Sequence, residues 1–217
     1  MKTLAIDCAG NSCSAAVIAA DKLMAHRFVV MERGQAESLM PMIAAVLAEA
    51  AIGVDALDLL AVATGPGGFT GLRIALATAQ GLALATGLPL LGVTCFEAVA
   101  AAVPAELRRD RAVVVALESK REELFLQAFA PAPGRAALVA QAGWATVAPA
   151  GPVVVAGDGA PRFAAALGRS DIVFAPGPGL ADAADVGRIA IACWNRGERP
   201  PALPLYLRAP DVTRPVA

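Results

Sequence analysis

Histidine is nearly absent from this 217-residue chain: His26 stands alone. One imidazole cannot supply the paired ligands of a zinc centre, and it argues against a histidine-based triad. Aromatic residues make up only 5 % and charged residues 17 %. There is no excess of either sign, with Lys+Arg at 18, Asp+Glu at 19 and a net charge of -1. A protein that grips nucleic acid unaided shows a basic excess or patch. No such cluster stands out in the linear sequence, and Arg196, Arg199, Arg208 and Arg214 are offset by Glu198 and Asp211. Cysteine is sparse too. Cys8, Cys13, Cys95 and Cys193 lack the paired spacing of a metal site. The apolar run over 3–8 is too short for a signal peptide, so free thiols in a reducing cytoplasm are expected. A charge-free span separates Arg73 from Glu97, long enough to cross a bilayer. Gln80, Gly81, Gly87 and Pro89 interrupt it, and it reads as a helix followed by a short strand.

What the chain does have is apolar bulk. Hydrophobic residues reach 57 % and mean hydropathy is +0.61, although much of this is alanine. That suffices for one large domain or two small lobes and excludes disorder. The stretch over 65–87, GPGGFTGLRIALATAQGLALATG, organises the rest. A cramped glycine turn follows the buried strand 59–63 and leads into a helix over 71–86. Leu72, Leu76, Ala79 and Ala83 lie on one face of that helix, and Ile74, Ala75, Thr78 and Leu82 on another. A helix packed on one side shows a polar stripe; here only Arg73, Gln80 and Thr86 interrupt the apolar surface. Its second side is therefore expected to meet another subunit.

In order along the chain, 3–7 reads as a strand ending in Asp7, and 13–19 and 23–30 as strands joined by a turn at Asp21-Lys22. A helix over 35–51 carries Leu39, Met42, Ile43, Val46, Leu47 and Ala50 at helical spacing. Pro41 is awkward there unless Ser38 caps the helix. Residues 90–93 form a strand and 95–103 a helix. Proline and dense charge over 104–111 mark a boundary. Strands follow over 112–117, 124–129, 138–141, 153–156 and 171–175, with helices over 161–167 and 182–195 and an extended tail from Pro200. The pattern gives an α/β protein with a first lobe over 1–103 and a second over 104–180. Residues 181–217 then form a helix packing back on the first lobe and a tail. No short tandem repeat is visible.

Each chemical candidate has two readings. Gly67, Gly68 and Thr70 in the glycine loop could offer N–H groups to a nucleotide phosphate, or the glycines could serve close backbone passage. The loop lacks the Lys-Ser/Thr of a Walker A motif and the GxGxxG spacing. Asp7 could position a metal and phosphate, as in two-lobed phosphotransferases, or cap its own turn. Cys95 opens a helix, where a thiolate is favoured, but no base accompanies it; Cys8 and Cys13 read as packed thiols. Glu118, Lys120 and Glu123 form a solvated turn or a partner contact. Trp144 and Trp194 read as packing anchors.

Four stretches carry a resemblance: LAIDCAGNSCSAAV, GPGGFTGLRIALATAQGLA, GVTCFEAVA and PLYLR, in this order. Together they resemble the TsaB (YeaZ) family, needed in bacteria for making threonylcarbamoyladenosine in tRNA. The resemblance covers most of the chain and is strongest over 1–102. It implies the two-lobed ASKHA fold of actin, hexokinase-type sugar kinases and the Hsp70 ATPase, built of two ribonuclease H-like lobes. It also implies a non-catalytic subunit. The catalytic paralogue, TsaD, carries a His-x-x-x-His metal pair whose matching positions here are Cys95 and Val99, and valine cannot ligate a metal. The implied role is to bind TsaD as it transfers threonylcarbamoyl to the adenosine beside the anticodon of tRNAs reading codons that begin with A. The ATPase TsaE joins the complex, tRNA is met only through it, and a homodimer forms when the paralogue is absent. No cofactor is required by this reading, although it leaves room for ATP or ADP at the partner interface. Leu39, Ile43, Val46, Leu72, Arg73, Leu76 and Gln80 are the implied partner contacts. Many relatives have Asp-Ala-Arg at Glu118-Ser119-Lys120, Thr at Cys8 and His near Gln35; lysine does not reproduce the arginine fork. Competing readings are a nucleotide-dependent transferase or kinase using Asp7 and the glycine loop, and a peptidase.

Overall fold

The computed structural model describes residues 1–130 and 132–208 and contains two five-stranded sheets. The first half runs β1 (Lys2–Asp7), β2 (Ser12–Ala19), β3 (Lys22–Val30), α1 (Gln35–Ala50), β4 (Leu59–Ala63), α2 (Phe69–Thr86), β5 (Leu90–Val93) and α3 (Cys95–Ala101). A short α4 (Ala105–Arg108) leads to β6 (Ala112–Glu118), β7 (Leu124–Phe129), β8 (Ala137–Val139), α5 (Trp144–Val147), β9 (Val153–Ala156), α6 (Ala160–Leu167) and β10 (Ile172–Phe174). The chain then returns through α7 (Ala183–Asn195). The sheet orders are β3-β2-β1-β4-β5 and β8-β7-β6-β9-β10. In both, the first two strands pair antiparallel and the inner connections pair parallel. The two halves thus repeat one topology without repeating a sequence. This is the two-lobed ASKHA-type architecture.

Burial explains the strand sequences. Leu-Leu-Ala-Val-Ala of β4 is buried throughout, as a parallel strand between two neighbours must be. In β6, Val113, Val115 and Leu117 join the large core shared with the first lobe, while Val114 and Ala116 face a second core with Trp144 and Phe163. That alternation follows from the two-residue period of a strand. Trp144 is buried and its indole N–H donates to the Val139 carbonyl at 2.8 Å; Trp194 is half-buried beneath the Arg199 guanidinium. Helix α7 crosses β1, β2 and β4 of the first sheet. Its cap Asp182 meets His26 Nε2 at 2.8 Å, and the Ala183 N–H donates to Ser14 Oγ at 2.9 Å. The segment after α7 fastens across the sheet ends: the Gly92 N–H donates to the Pro200 carbonyl and the Leu205 N–H to the Thr64 carbonyl. The part of the expected tail beyond residue 208 lies outside the described residues.

Several expectations change. The β2–β3 turn is at Ala20-Asp21, both left-handed, because Lys22 already pairs with Ala19. Helix α1 starts at Gln35 as expected, but its cap is the left-handed Gly34 rather than Ser38, so it encloses Pro41, which lies on its exposed side. Helix α2 starts two residues early, at Phe69, and α4 and α5 went unseen because each is a single turn. The largest correction concerns the partner face. Leu39, Ile43, Val46, Leu72 and Leu76 are only 0 to 5 % exposed, packed in their own lobe's core. They recur at helical spacing because they face this chain's sheet. The outward faces carry Met40, Ala44 and Ala48 on α1, and Arg73, Ala77, Gln80, Gly81 and Leu84 on α2. Leu84 is 88 % exposed.

A Cβ at Gly67 would lie 2.0 Å from the Ala9 carbonyl oxygen, whereas one at Gly81 would meet nothing within 4 Å. Gly67→Ala should therefore destabilise by at least about 2 kcal/mol, and Gly81→Ala should stabilise by up to about 1 kcal/mol through helix propensity. Urea unfolding of both variants checks the contrast.

Candidate functional site

Three turns converge where the two sheets end. The first, over 8–11, follows β1; the second is the glycine loop after β4; the third, over 119–123, joins β6 to β7. The loop is held on the first turn by backbone. The Gly68 N–H donates to the Ala9 carbonyl at 2.6 Å, and a Cβ at Gly71 would lie 2.1 Å from the Cys8 carbonyl oxygen. The Cys95 N–H closes the loop from below by donating to the Gly65 carbonyl at 2.7 Å. The third turn is anchored by Arg162, which bonds the Glu118 carboxylate at 2.6 Å and the carbonyls of Arg121 and Glu122. Sequence reasoning missed Arg162 because nothing local announces a guanidinium reaching across from α6. Between the turns lies a chamber of about 30 Å³ bordered by Gly67, Gly68, Cys95, Lys120 and Asp158.

The acids here are buried. Asp7 is fully enclosed, with Oδ1 accepting the Ala9 N–H at 2.9 Å and Oδ2 without a partner. Burial pushes its pKa from 3.8 up to about 7, opposed by the Ala9 hydrogen bond and reinforced by the Asp182 carboxylate. Asp158 is also raised by burial, although its Oδ1 accepts the Glu118 N–H at 2.9 Å. Burial pushes the Cys95 thiol well up, with the Asp7 charge adding to it, so the helix start does not produce a reactive thiolate. Cys8 and Cys13 are packed thiols with sulfurs 3.5 Å apart.

The predicted site residues are only partly gathered: Asp7 is buried beneath the first turn, Gly67 and Gly68 border the small chamber and the groove beside Phe69, and Gly68 and Thr70 share a surface groove with Asn11, Arg33 and Lys120. Val99 and Cys95 are both buried on α3. Among the described residues, no three His, Cys, Asp or Glu side chains gather as a metal site, and no helix is long and apolar enough to cross a membrane.

Fold and turns define an ASKHA-type protein with a small chamber where its two sheets end. Residues 29–134 match the family model of TsaD, tRNA N6-adenosine threonylcarbamoyltransferase. The TsaB of Haemophilus influenzae is 33 % identical over 122 residues, 56 % of this chain, and the match spans about half (51 %) of that relative. An uncharacterized protein of Mycobacterium tuberculosis is 32 % identical over 217 residues, covering 99 % of this chain and 94 % of its own. The solved YeaZ from Pseudomonas aeruginosa superposes with a TM-score of 0.81 at 28 % identity, over 95 % of this chain and 99 % of that one. The chain belongs to the TsaB (YeaZ) family.

The buried Asp7 makes stability pH-dependent. Below its ordinary pKa of 3.8 the carboxyl is neutral in both states. As pH rises towards about 7 the unfolded chain ionises while the folded one does not, so stability falls across that window and levels off above it. The difference from 3.8 to about 7 corresponds to roughly 4 kcal/mol. Asp7→Asn should flatten this slope, leaving the smaller part due to the buried Asp158 and Asp185, which unfolding midpoints of both proteins between pH 4 and 8 will show.

Proposed function

We propose that this chain acts in threonylcarbamoyladenosine formation in tRNA as a non-catalytic subunit that binds and supports a TsaD-type transferase. The observation that carries the reading is the apolar outward surface of α1 and α2. Leu84 is 88 % and Met40 49 % exposed, beside the small residues Ala44, Ala48, Ala77 and Gly81. Small residues let a second helix pair approach closely, and an exposed apolar patch of this kind marks an interaction face. Arg73 and Gln80, the two implied contacts that do reach solvent, lie on it. Alone, the chain would use the same face for a homodimer. TsaE would join at the composite surface, with ATP or ADP held between subunits. The tRNA, at the adenosine beside the anticodon for codons beginning with A, would be met through the assembled complex in the cytoplasm.

The absence of chemistry in this chain is supported by composition and placement. Position 99 is Val, the sole imidazole is engaged by Asp182, and Cys95 is buried. The alternative, a kinase or transferase working through Asp7 and the glycine loop, finds an aspartate without access to solvent.

Leu84→Arg and Ala44→Arg should each abolish co-purification with the TsaD-type paralogue while leaving the unfolding midpoint unchanged. Leu23→Arg, on the distant edge strand β3, should have no effect. Retention of the complex by both helix variants would show that the face is wrong.

A further inference from the structure

At the end of the second sheet opposite the three turns, where β6 begins and β7 ends, lies an open groove of about 590 Å³. Arg108, Arg109 and Arg111 line it together with Asp110, so it holds three guanidiniums to one carboxylate among the described residues. These residues belong to the dense charge over 104–111, to which the docking reading gives no role.

Their lack of carboxylate partners sets them apart. Arg27, Arg162, Arg169, Arg188 and Arg196 each form an ion pair with an acidic side chain. Among the described residues, no carboxylate pairs with Arg108, Arg109 or Arg111, not even the Asp110 that stands between them. Arg108 and Arg109 are exposed, and Arg108 is tethered by its Nε, which donates to the Val103 carbonyl at 2.9 Å. Arg111 is half-buried, and its own Nε is buried without an acceptor among the described residues. A charged group with an unmatched buried donor is costly, and an anion on the outer edge of the same guanidinium would offset that cost. The opposite wall is fixed: Arg169, held by Asp171, donates to the Pro149 carbonyl at 2.9 Å and to the Gly151 carbonyl. A groove set in advance loses less freedom on binding.

The other large grooves suit an anion less. One of about 580 Å³ is lined by Asp158, Asp182 and Asp185 with His26 as its basic side chain. Another of about 510 Å³ mixes Glu32 and Glu37 with Arg33 and Lys120. The groove beside Phe69, about 490 Å³, gathers Lys120 with Tyr206, Arg121 and Arg208, but both arginines already have partners. Carboxylates repel phosphate at close range, and an engaged cation has less to offer it. The guanidinium fork, by contrast, matches phosphate oxygens two at a time. Three of them along an open groove suit successive phosphates of a chain. None of the exposed large apolar side chains borders this groove, as insertion into a lipid surface would need. Its ring, Phe129, is half-buried and offers bases no platform.

We propose that this groove binds the phosphate backbone of RNA, without regard to sequence, through Arg108, Arg109 and Arg111. In the complex the chain then adds contacts of its own to the tRNA. The choice of RNA among polyanions rests on the tRNA-modification reading above; the groove itself lies on the second lobe and uses neither α1 nor α2.

The test is fluorescence anisotropy of the isolated full chain with an end-labelled tRNA transcript, titrated at several salt concentrations. Binding should weaken as salt rises. Arg109→Gln should weaken it about tenfold at low salt and reduce the slope of log affinity against log salt by about one. Arg109→Gln combined with Arg111→Gln should reduce the slope by about two, with unfolding midpoints showing that both variants fold. Lys22→Gln on β3 should change neither affinity nor slope, and an RNA of equal length and unrelated sequence should compete equally. Absence of salt-sensitive binding, an unchanged slope in Arg109→Gln, or the same loss in Lys22→Gln overturns the proposal. Inorganic phosphate that competes as well as RNA, phosphate for phosphate, makes this a site for a free anion and overturns the assignment to RNA. No paralogue is needed for the measurement. Loss of RNA binding with co-purification intact sinks this proposal alone, and the reverse sinks only the docking reading.

Discussion

Backbone lying directly on backbone is the contact from which the rest of this structure follows. At Gly67 and Gly71 the glycine loop passes so close to the carbonyls of Ala9 and Cys8 that no side chain fits between them. The second lobe repeats the device at Gly157, where a Cβ would lie 1.9 Å from the Ala116 carbonyl oxygen, and the Gly159 N–H donates to that same oxygen. In each half, the turn after the fourth strand is clamped onto the first strand or the turn that ends it. The clamp fixes where α2 begins and therefore which of its faces meets the sheet and which meets water.

Asp7 is sealed beneath the first turn, where burial keeps its carboxyl from solvent. The apolar backs of α1 and α2 face outward. A folded chain with this distribution acts through what it touches.

Much of this could be read from the residues. Strand β4, the glycine loop and the helical spacing of Leu39, Ile43 and Val46 all declare themselves locally, and the α/β alternation announces two lobes. The periodicity of α1 and α2 was misleading about direction. It marks an apolar face without saying whether the cover is this chain's own sheet, and for Leu72 and Leu76 it is. Close backbone passage, one of the two readings of the glycine loop, is what Gly67 and Gly71 show; which carbonyls they pass was not legible, since Ala9 and Cys8 lie some sixty residues upstream. Arg162 and the meeting of Lys120 with Tyr206 and Arg208 depend on long-range folding, which no local pattern encodes. Pro41 is tolerated inside a helix because it lies on the exposed side, a fact of tertiary placement.

The return of α7 across β1, β2 and β4 has a consequence for the newly made chain. Ala183, Val186 and Ala190 complete the core of a sheet whose first strand begins at Lys2. Until the ribosome has released them, the amino-terminal half emerges with one oily side uncovered. Contacts of such long sequence separation form slowly, and the waiting intermediate is exposed to aggregation and to chaperones. Truncation before α7 should for that reason yield insoluble material rather than a smaller folded lobe.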